Sequence, residues 1–350
     1  MVNQLCSWDN LLLAYRRAAK GKRGHVNVAS FEHHLEDNLT ALRTELLGKI
    51  YRPGSYTSFW IHEPKRRLIS AAPFRDRVVH HALCNLIEPV FEPTFVADSY
   101  ANRKGKGTHR ALQRTHEFAR TFRYVLQVDV RQFFPSLDHE TLRAKIAGRV
   151  DDPDVLRLVD LILASGDGVL DEAYEMAFFP GDDLLAVLRP RGLPIGNLTS
   201  QFWANVYLNA FDHFVKRGLR CRGYVRYVDD LLFFDDEKER LWRWLDAVER
   251  RLALLRLTVH HGAHPRPVTE GVPFLGFTVY PNRRRPKRRK GIHFQRRIAG
   301  LVREHDDGRC SVSDVSACVA GWVNHVRFGN TVGLRKAVLR RVVIHPRAMA

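Results

Sequence analysis

Tyr224-Val225-Arg226-Tyr227-Val228-Asp229-Asp230-Leu231-Leu232-Phe233-Phe234 constrains this chain more than any other stretch. Two runs rich in Val, Tyr and Phe, residues that favour strands, flank two adjacent carboxylates without a Gly or Pro. The pattern predicts a tight hairpin with Asp229 and Asp230 at its tip. Adjacent acids repel each other unless a cation lies between them, so the tip is either a plain polar turn, where Asp is common, or a cation site. A second β-rich run, Arg123-Tyr124-Val125-Leu126-Gln127-Val128-Asp129-Val130, brings a third carboxylate. It leads into Arg131-Gln132-Phe133-Phe134-Pro135-Ser136.

Three acids from two neighbouring strands could hold a pair of Mg²⁺ ions about 3.5–4 Å apart. Magnesium suits such donors because it takes oxygen ligands, keeps part of its water and shares substrate phosphates. At these residues the sequence resembles a known family. Tyr227-Val228-Asp229-Asp230 matches the YxDD motif of reverse transcriptases, and Asp129 matches their first catalytic aspartate. The tetrapeptide alone is weak, but its order after an Asp-x-x-x-x-Phe strand end is specific.

Charge points the same way. The chain has 350 residues, 45% hydrophobic and 27% charged, with a formal net charge of +18, so it has ample core and an unusual cationic excess. A polyanion, nucleic acid first, is the simplest partner. No apolar run approaches the ~20 residues of a spanning helix, and the N-terminal basic cluster follows Leu11-Leu12-Leu13 instead of preceding it, unlike a signal peptide. The five cysteines lack C-x-x-C spacing, which fits a reduced, cytoplasmic protein. The pairs His33-His34, His80-His81 and His260-His261 have no nearby Cys, so they read as surface or nucleic-acid-contacting residues and not as zinc ligands.

Residues 1–50 read as helical, with one helix opening at Trp8 and another capped by Ser30 and running through Leu35, Leu39, Leu42 and Leu46. Tyr56 to Ile69 reads as a hairpin turning at Glu63-Pro64-Lys65. Lys65, Arg66 and Arg67 there could clamp a triphosphate or form a solvated basic turn. Arg103-Lys104-Gly105-Lys106-Gly107 does not satisfy G-x-x-x-x-G-K-[ST] and reads as a flexible basic loop against a nucleic-acid backbone. From Lys65 to Leu112 the chain looks like the fingers of reverse transcriptases related to group II introns, with Lys65 and Arg67 where triphosphate-binding residues fall.

Residues 165–190 read as an acidic loop, leading to Leu193-Pro194-Ile195-Gly196-Asn197-Leu198-Thr199-Ser200-Gln201 and a helix from Phe202 to Val215, with Thr199 or Ser200 as cap. Glycine at such a junction lets backbone approach a ligand. Most reverse transcriptases carry Gln-Gly-x-x-x-Ser-Pro here. This chain has Ile195 for the Gln and Gln201 for the Pro, and that variant resembles the reverse transcriptases of diversity-generating retroelements.

After a helix from about Lys238 to Leu255, Phe274-Leu275-Gly276-Phe277-Thr278-Val279-Tyr280 reads as a short strand like the family's primer grip. The family often places a lysine between these elements. Here only His264 or Arg266 is a local candidate for protonating departing pyrophosphate. From Pro281 to Ala350 there are 17 Lys/Arg against 4 Asp/Glu, densest in Arg283-Arg284-Arg285-Pro286-Lys287-Arg288-Arg289-Lys290. Such a run can be a disordered tail. Helical apolar spacing from Val312 to Val326 and from Leu334 to Val343 favours a thumb gripping duplex.

The resemblance covers nearly the whole chain and implies an α+β right-hand polymerase: fingers with an N-terminal helical extension at 1–115, an antiparallel-sheet palm at 116–280 and a basic helical thumb at 281–350. It implies RNA-directed DNA synthesis with two Mg²⁺ (or substituting Mn²⁺) held by Asp129, Asp229, Asp230 and the Val130 carbonyl. Phe134 would exclude a 2′-hydroxyl, Ile195 and Gly196 would face the nascent pair, and Gln201, Phe274, Leu275 and Gly276 would touch nucleic acid. Template RNA, cDNA, dNTPs and a small basic pentameric accessory protein are the implied partners, with errors concentrated at template adenines. A stand-alone reverse transcriptase of phage defence would share the acids without the mutagenic behaviour. A binding protein with a dead site would need none of the acids, Phe134, Lys65 and Arg67 together.

Overall fold

The structure is a computed structural model describing residues 1–62, 66–340 and 342–343. Its strands are β1 (Thr57–Ile61), β2 (Arg67–Ala71), β3 (Tyr124–Arg131), β4 (Gly223–Tyr227), β5 (Asp230–Asp235), β6 (Thr258–Val259), β7 (Pro265–Pro267), β8 (Val272–Phe274), β9 (Phe277–Val279) and β10 (Arg284–Pro286). Every pairing between them is antiparallel. The central sheet runs β4-β5-β3, with β6 and β7 both against the far edge of β3.

Side-chain alternation along β3 assigns its two faces, since successive residues point to opposite sides. Leu126, Val128 and Val130 pack into the main core with the helices Phe74–Phe91, Leu198–His213 and Lys238–Ala253. Val125 instead joins Phe234, Phe274, Phe277 and the helix Thr108–Thr121 in a second core. Asp129 shares the Val125 face, beyond the point where that second core ends.

Several sequence expectations are corrected. Phe274–Tyr280 is not one strand but the β8–β9 hairpin, turning through Leu275 (φ 46°) and Gly276 (φ 86°). Two consecutive positive φ values give the turn whose twist matches paired strands. Ser30 lies inside a helix, Val26–His33, instead of capping the next, Leu35–Leu47. Neither Thr199 nor Ser200 caps the helix Leu198–His213: Asn197 holds the cap position, and Ser200 Oγ donates to the Pro194 carbonyl at 2.7 Å.

The basic run is ordered into the fold. Arg284–Pro286 forms β10 on β9, and Arg288–Asp306 begins a helix directly after it. With Val312–Val326 and Val332–Leu339 that helix builds a third core, in which Phe294 stacks on Trp322 at 4.2 Å. Ser311 and Asp314 close the first turn of its middle helix reciprocally. Among the described residues no helix is long and apolar enough to cross a membrane.

Candidate active site

The register Tyr227↔Asp230 leaves Val228 and Asp229 as the hairpin loop. Val228 sits at φ 57°, a left-handed conformation rare for a β-branched residue and worth of order 1–3 kcal/mol of strain. Such strain persists only where neighbours fix the backbone, and here they do. Arg226, fully buried, donates through Nε and Nη2 to the Asp212 carboxylate at 2.8 and 2.6 Å. Its Nη1 reaches Asn205 Oδ1 at 3.1 Å and the Val228 carbonyl at 3.3 Å. Tyr224 OH donates to the same carboxylate at 2.7 Å. The Arg226 backbone is clamped as well, to the Asp98 carbonyl and the Tyr100 amide.

Asp129 pairs directly opposite Asp230, and the Val130 amide donates to the Asp229 carbonyl at 3.3 Å. The three acids and the Val130 backbone are thus gathered at one end of β3 and β5. Among the described residues no three His, Cys, Asp or Glu side chains form a ready-made metal cage. The donor chemistry still fits magnesium, which prefers carboxylate and carbonyl oxygens and usually completes its shell with waters and substrate phosphates.

The same face of β3 carries Gln127, whose amide donates to the Pro273 carbonyl of β8 at 3.1 Å and accepts from Arg266 at 3.2 Å. The β8–β9 hairpin therefore lies one register step from Asp129. Arg266 pairs opposite Val125, roughly 13 Å along the strand from Asp129 at about 3.3 Å per residue. His264 turns its Nδ1 to the Gly262 carbonyl. A basic side chain that does lie beside Asp129 is His260: its amide donates to the Asp129 carbonyl at 2.9 Å, and its Nε2 lies 3.9 Å from Asp129 Oδ2. A strand as short as β6 gave no sequence signal for this pairing.

Phe134 and Ile195 are joined by backbone. Leu193 donates its amide to the Phe134 carbonyl at 3.0 Å, and Gly192 donates to Leu137 at 2.9 Å. Ile195 in turn accepts from the Ser70 amide of β2 at 2.8 Å. Asn197, which the sequence did not single out, bolts this loop to β2: its side chain accepts from the Ala72 amide and donates to the Ser70 and Pro194 carbonyls. Gly196 needs to be glycine, because at φ 118° an added Cβ would lie 3.1 Å from Ile69 Cγ2. Arg67, exposed, lies on this same strand. Lys65 lies outside the described residues.

Behind the loop is a basic cavity of about 210 Å³, lined by Arg17, Lys20, Lys22, Arg77, His80, His81, Gly196 and Gln201 among others. His80 is no surface residue. It is buried, and burial pushes its pKa down to about 3, while burial and nearby Arg17 and Lys22 push His81 to about 4. Both rings are therefore neutral near pH 7, and the cationic charge of the cavity comes from Arg and Lys. Lys20 and Lys22 are far from Gln201 in sequence, and only the fold brings them together.

The expected nucleic-acid contacts divide into two groups. Arg103 is committed to the fold, with its guanidinium on Glu92 and on the Val96 and Ser99 carbonyls. Lys106 donates to the Ala97 carbonyl at 2.7 Å. Phe274 is core, and Leu275 packs against that core, so neither contact was a free surface group. Arg283 lies over Tyr280, and burial lowers the pKa of both Arg284 and Lys290. Lys104, Arg285, Lys287, Arg288 and Arg289 are exposed cations.

Comparison with known proteins fits this geometry. The reverse transcriptase (RNA-dependent DNA polymerase) family matches residues 61–279. Among curated relatives, Protein YkfC of Escherichia coli K12 is 26% identical over 64% of this chain and 54% of its own length. The group II intron-encoded protein LtrA of Lactococcus lactis is 24% identical over 53% of this chain and 31% of its own. Nuclear intron maturase 2 of Arabidopsis thaliana is 30% identical over 32% and 18%. This chain thus spans about half or less of the relatives it matches. A solved apo telomerase from Candida tropicalis aligns over 71% of this chain and 52% of its own at 12% identity, with a TM-score of 0.46. The chain belongs to the reverse transcriptase family and has its α+β right-hand polymerase fold.

Proposed function

We propose that this reverse transcriptase copies an element-encoded template RNA into cDNA that carries errors at template adenines, for diversification of a target gene. The observation that carries the polymerase reading is the register that sets Asp129 opposite Asp230 with Asp229 at the adjoining tip. Ile195 in place of the family's Gln supports the mutagenic reading. Residues 1–115 would act as fingers, 116–280 as palm and 281–350 as thumb.

Asp129, Asp229, Asp230 and the Val130 carbonyl would hold divalent metal, Mg²⁺ before Mn²⁺, which when bound lowers the pKa of a primer 3′-hydroxyl and stabilises charge on phosphate. The remaining residues bind and select. Phe134 would close the space beneath the sugar, and Arg67 would bind triphosphate together with Lys65. The basic cavity and the exposed cations of 285–289 would follow the template–primer backbone. A small basic accessory protein would complete the machinery. Primer extension on a defined RNA with dNTPs tests the reading: full-length cDNA is expected, and no RNA-templated extension would overturn it.

Phe134→Ala should raise ribonucleotide incorporation relative to dNTP by about tenfold or more, a difference of about 1.4 kcal/mol between competing transition states. Incorporation ratios in both enzymes check it, and an unchanged ratio would move the sugar gate elsewhere. Replacing Arg285, Lys287, Arg288 and Arg289 with Gln should weaken template–primer binding whatever its sequence. The log–log salt slope should flatten by up to about 3, at ~0.7–0.9 per phosphate contact. A slope identical to wild type would show that these cations face solvent alone.

A further inference from the structure

Arg226 is held in the palm by more bonds than charge balance requires. Its Nε and Nη2 fork onto the Asp212 carboxylate, Tyr224 OH donates to the same group, and all three side chains are fully buried. A buried ion pair is weak evidence for stability, because desolvating two charges offsets their attraction. Apolar side chains of similar volume often hold a fold as well. What they cannot do is bond to backbone. The remaining arm of the guanidinium does so: Nη1 donates to Asn205 Oδ1 at 3.1 Å and to the Val228 carbonyl at 3.3 Å.

That carbonyl belongs to the peptide leading into Asp229, after a residue held at φ 57°. A guanidinium is planar, so the Asp212 fork that orients it also fixes the direction of Nη1. Asp212 and Asn205 both stand on the helix Leu198–His213, and Asn205 is tied onward to the Ala101 carbonyl at 2.9 Å. On the other face of β4, Tyr227 OH lies 3.1 Å from Thr108 Oγ1. The helix that holds Arg226 begins at the loop carrying Ile195, so selecting loop and acid tip are referenced to one element. Magnesium needs such a reference. It demands near-octahedral ligands at about 2.0–2.1 Å, and a site loosened by more than about 0.5 Å leaves its productive geometry.

We propose that Arg226 is a positioning residue for nucleotidyl transfer: oriented by Asp212 and Asn205, it sets where the Val228 carbonyl stands, and with it Asp229 and Asp230. The proposal rests on the polymerase reading above. Two substitutions separate positioning from packing. Arg226→Lys keeps a charge for Asp212, but an ammonium on a flexible stem does not reproduce the planar fork. Arg226→Met/Asp212→Leu/Tyr224→Phe removes the network and leaves an apolar contact of similar volume, which keeps the fold.

The test takes the full chain, wild type and both variants, through three measurements. Mn²⁺ binding is followed by electron paramagnetic resonance on a dideoxy-terminated template–primer with dNTP, where no turnover occurs. Amide hydrogen exchange is read over 224–234, and single-turnover extension gives kcat and KM. In both variants Mn²⁺ should bind about tenfold more weakly and kcat should fall by about a hundredfold, the cost of a misplacement near 1 Å. Exchange should rise at the hairpin tip alone, while KM for template–primer stays within about threefold and the triple variant melts as wild type does. If the triple variant keeps wild-type Mn²⁺ affinity and kcat, the network only packs the palm and the proposal is overturned, while the polymerase reading stands. Parallel loss of melting temperature, KM and exchange protection across the whole sheet would overturn it too, since the role would then be structural. Wild-type protein that binds no Mn²⁺ would sink the metal reading together with this proposal.

Discussion

Asp229→Asn should lower RNA-templated polymerase activity by at least about a hundredfold, or about 2.7 kcal/mol of transition-state stabilisation, with template–primer affinity kept within about threefold. The change is nearly isosteric and falls in a hairpin loop whose fixed points lie elsewhere. The Asp229 carbonyl would still accept from Val130, and Arg226 would still hold the Val228 carbonyl. What disappears is one of three negative charges gathered at the ends of β3 and β5. A site that holds metal by charge and oxygen donors loses affinity when one carboxylate becomes an amide, whereas the proposed contacts to the nucleic-acid backbone lie on other residues. Single-turnover extension and a binding isotherm on the same variant separate the two. Retention of more than about a tenth of wild-type activity would sink the metal assignment.

Ile195→Gln is the second large effect, and it acts on selection instead of rate. Ile195 is anchored through its carbonyl to the Ser70 amide, so the substitution changes the side chain with the backbone already held. Isoleucine offers no donor or acceptor to a nascent pair. A glutamine there can hydrogen-bond and hold incoming nucleotide and template in one geometry, and one such bond is worth about 0.5–1.5 kcal/mol net. Discrimination is a difference of transition-state energies, so fidelity should rise by up to roughly tenfold while synthesis continues. Misincorporation frequencies for the two enzymes on one template check this, and equal frequencies would remove Ile195 from the selection mechanism.

The acids were legible because their signal is local. Unbroken Val, Tyr and Phe runs end in carboxylates, and the strands at Tyr124–Arg131 and Gly223–Asp235 follow. The loop at Ile195 was legible as a motif, but Asn197 was not, since its work is bonding to Ser70 and Ala72 more than a hundred residues away. Distance in sequence hid His260 too, because only the pairing of β6 with β3 brings it beside Asp129. Basic residues misled in one direction. Composition registers the charge of Arg103 but not the Glu92 carboxylate and carbonyls that occupy it. In sequence, Phe274–Tyr280 reads as one strand because Leu275 gives no hint of positive φ, although Gly276 does.

Deep sequencing of the cDNA made on a defined RNA template with the accessory protein present, scored base by base, tests the proposed errors at adenine. The expected cDNA carries misincorporations concentrated opposite template adenines, reduced there in the Ile195→Gln enzyme. Wild-type cDNA that copies adenine as faithfully as the other three bases would contradict it and favour the phage-defence reading.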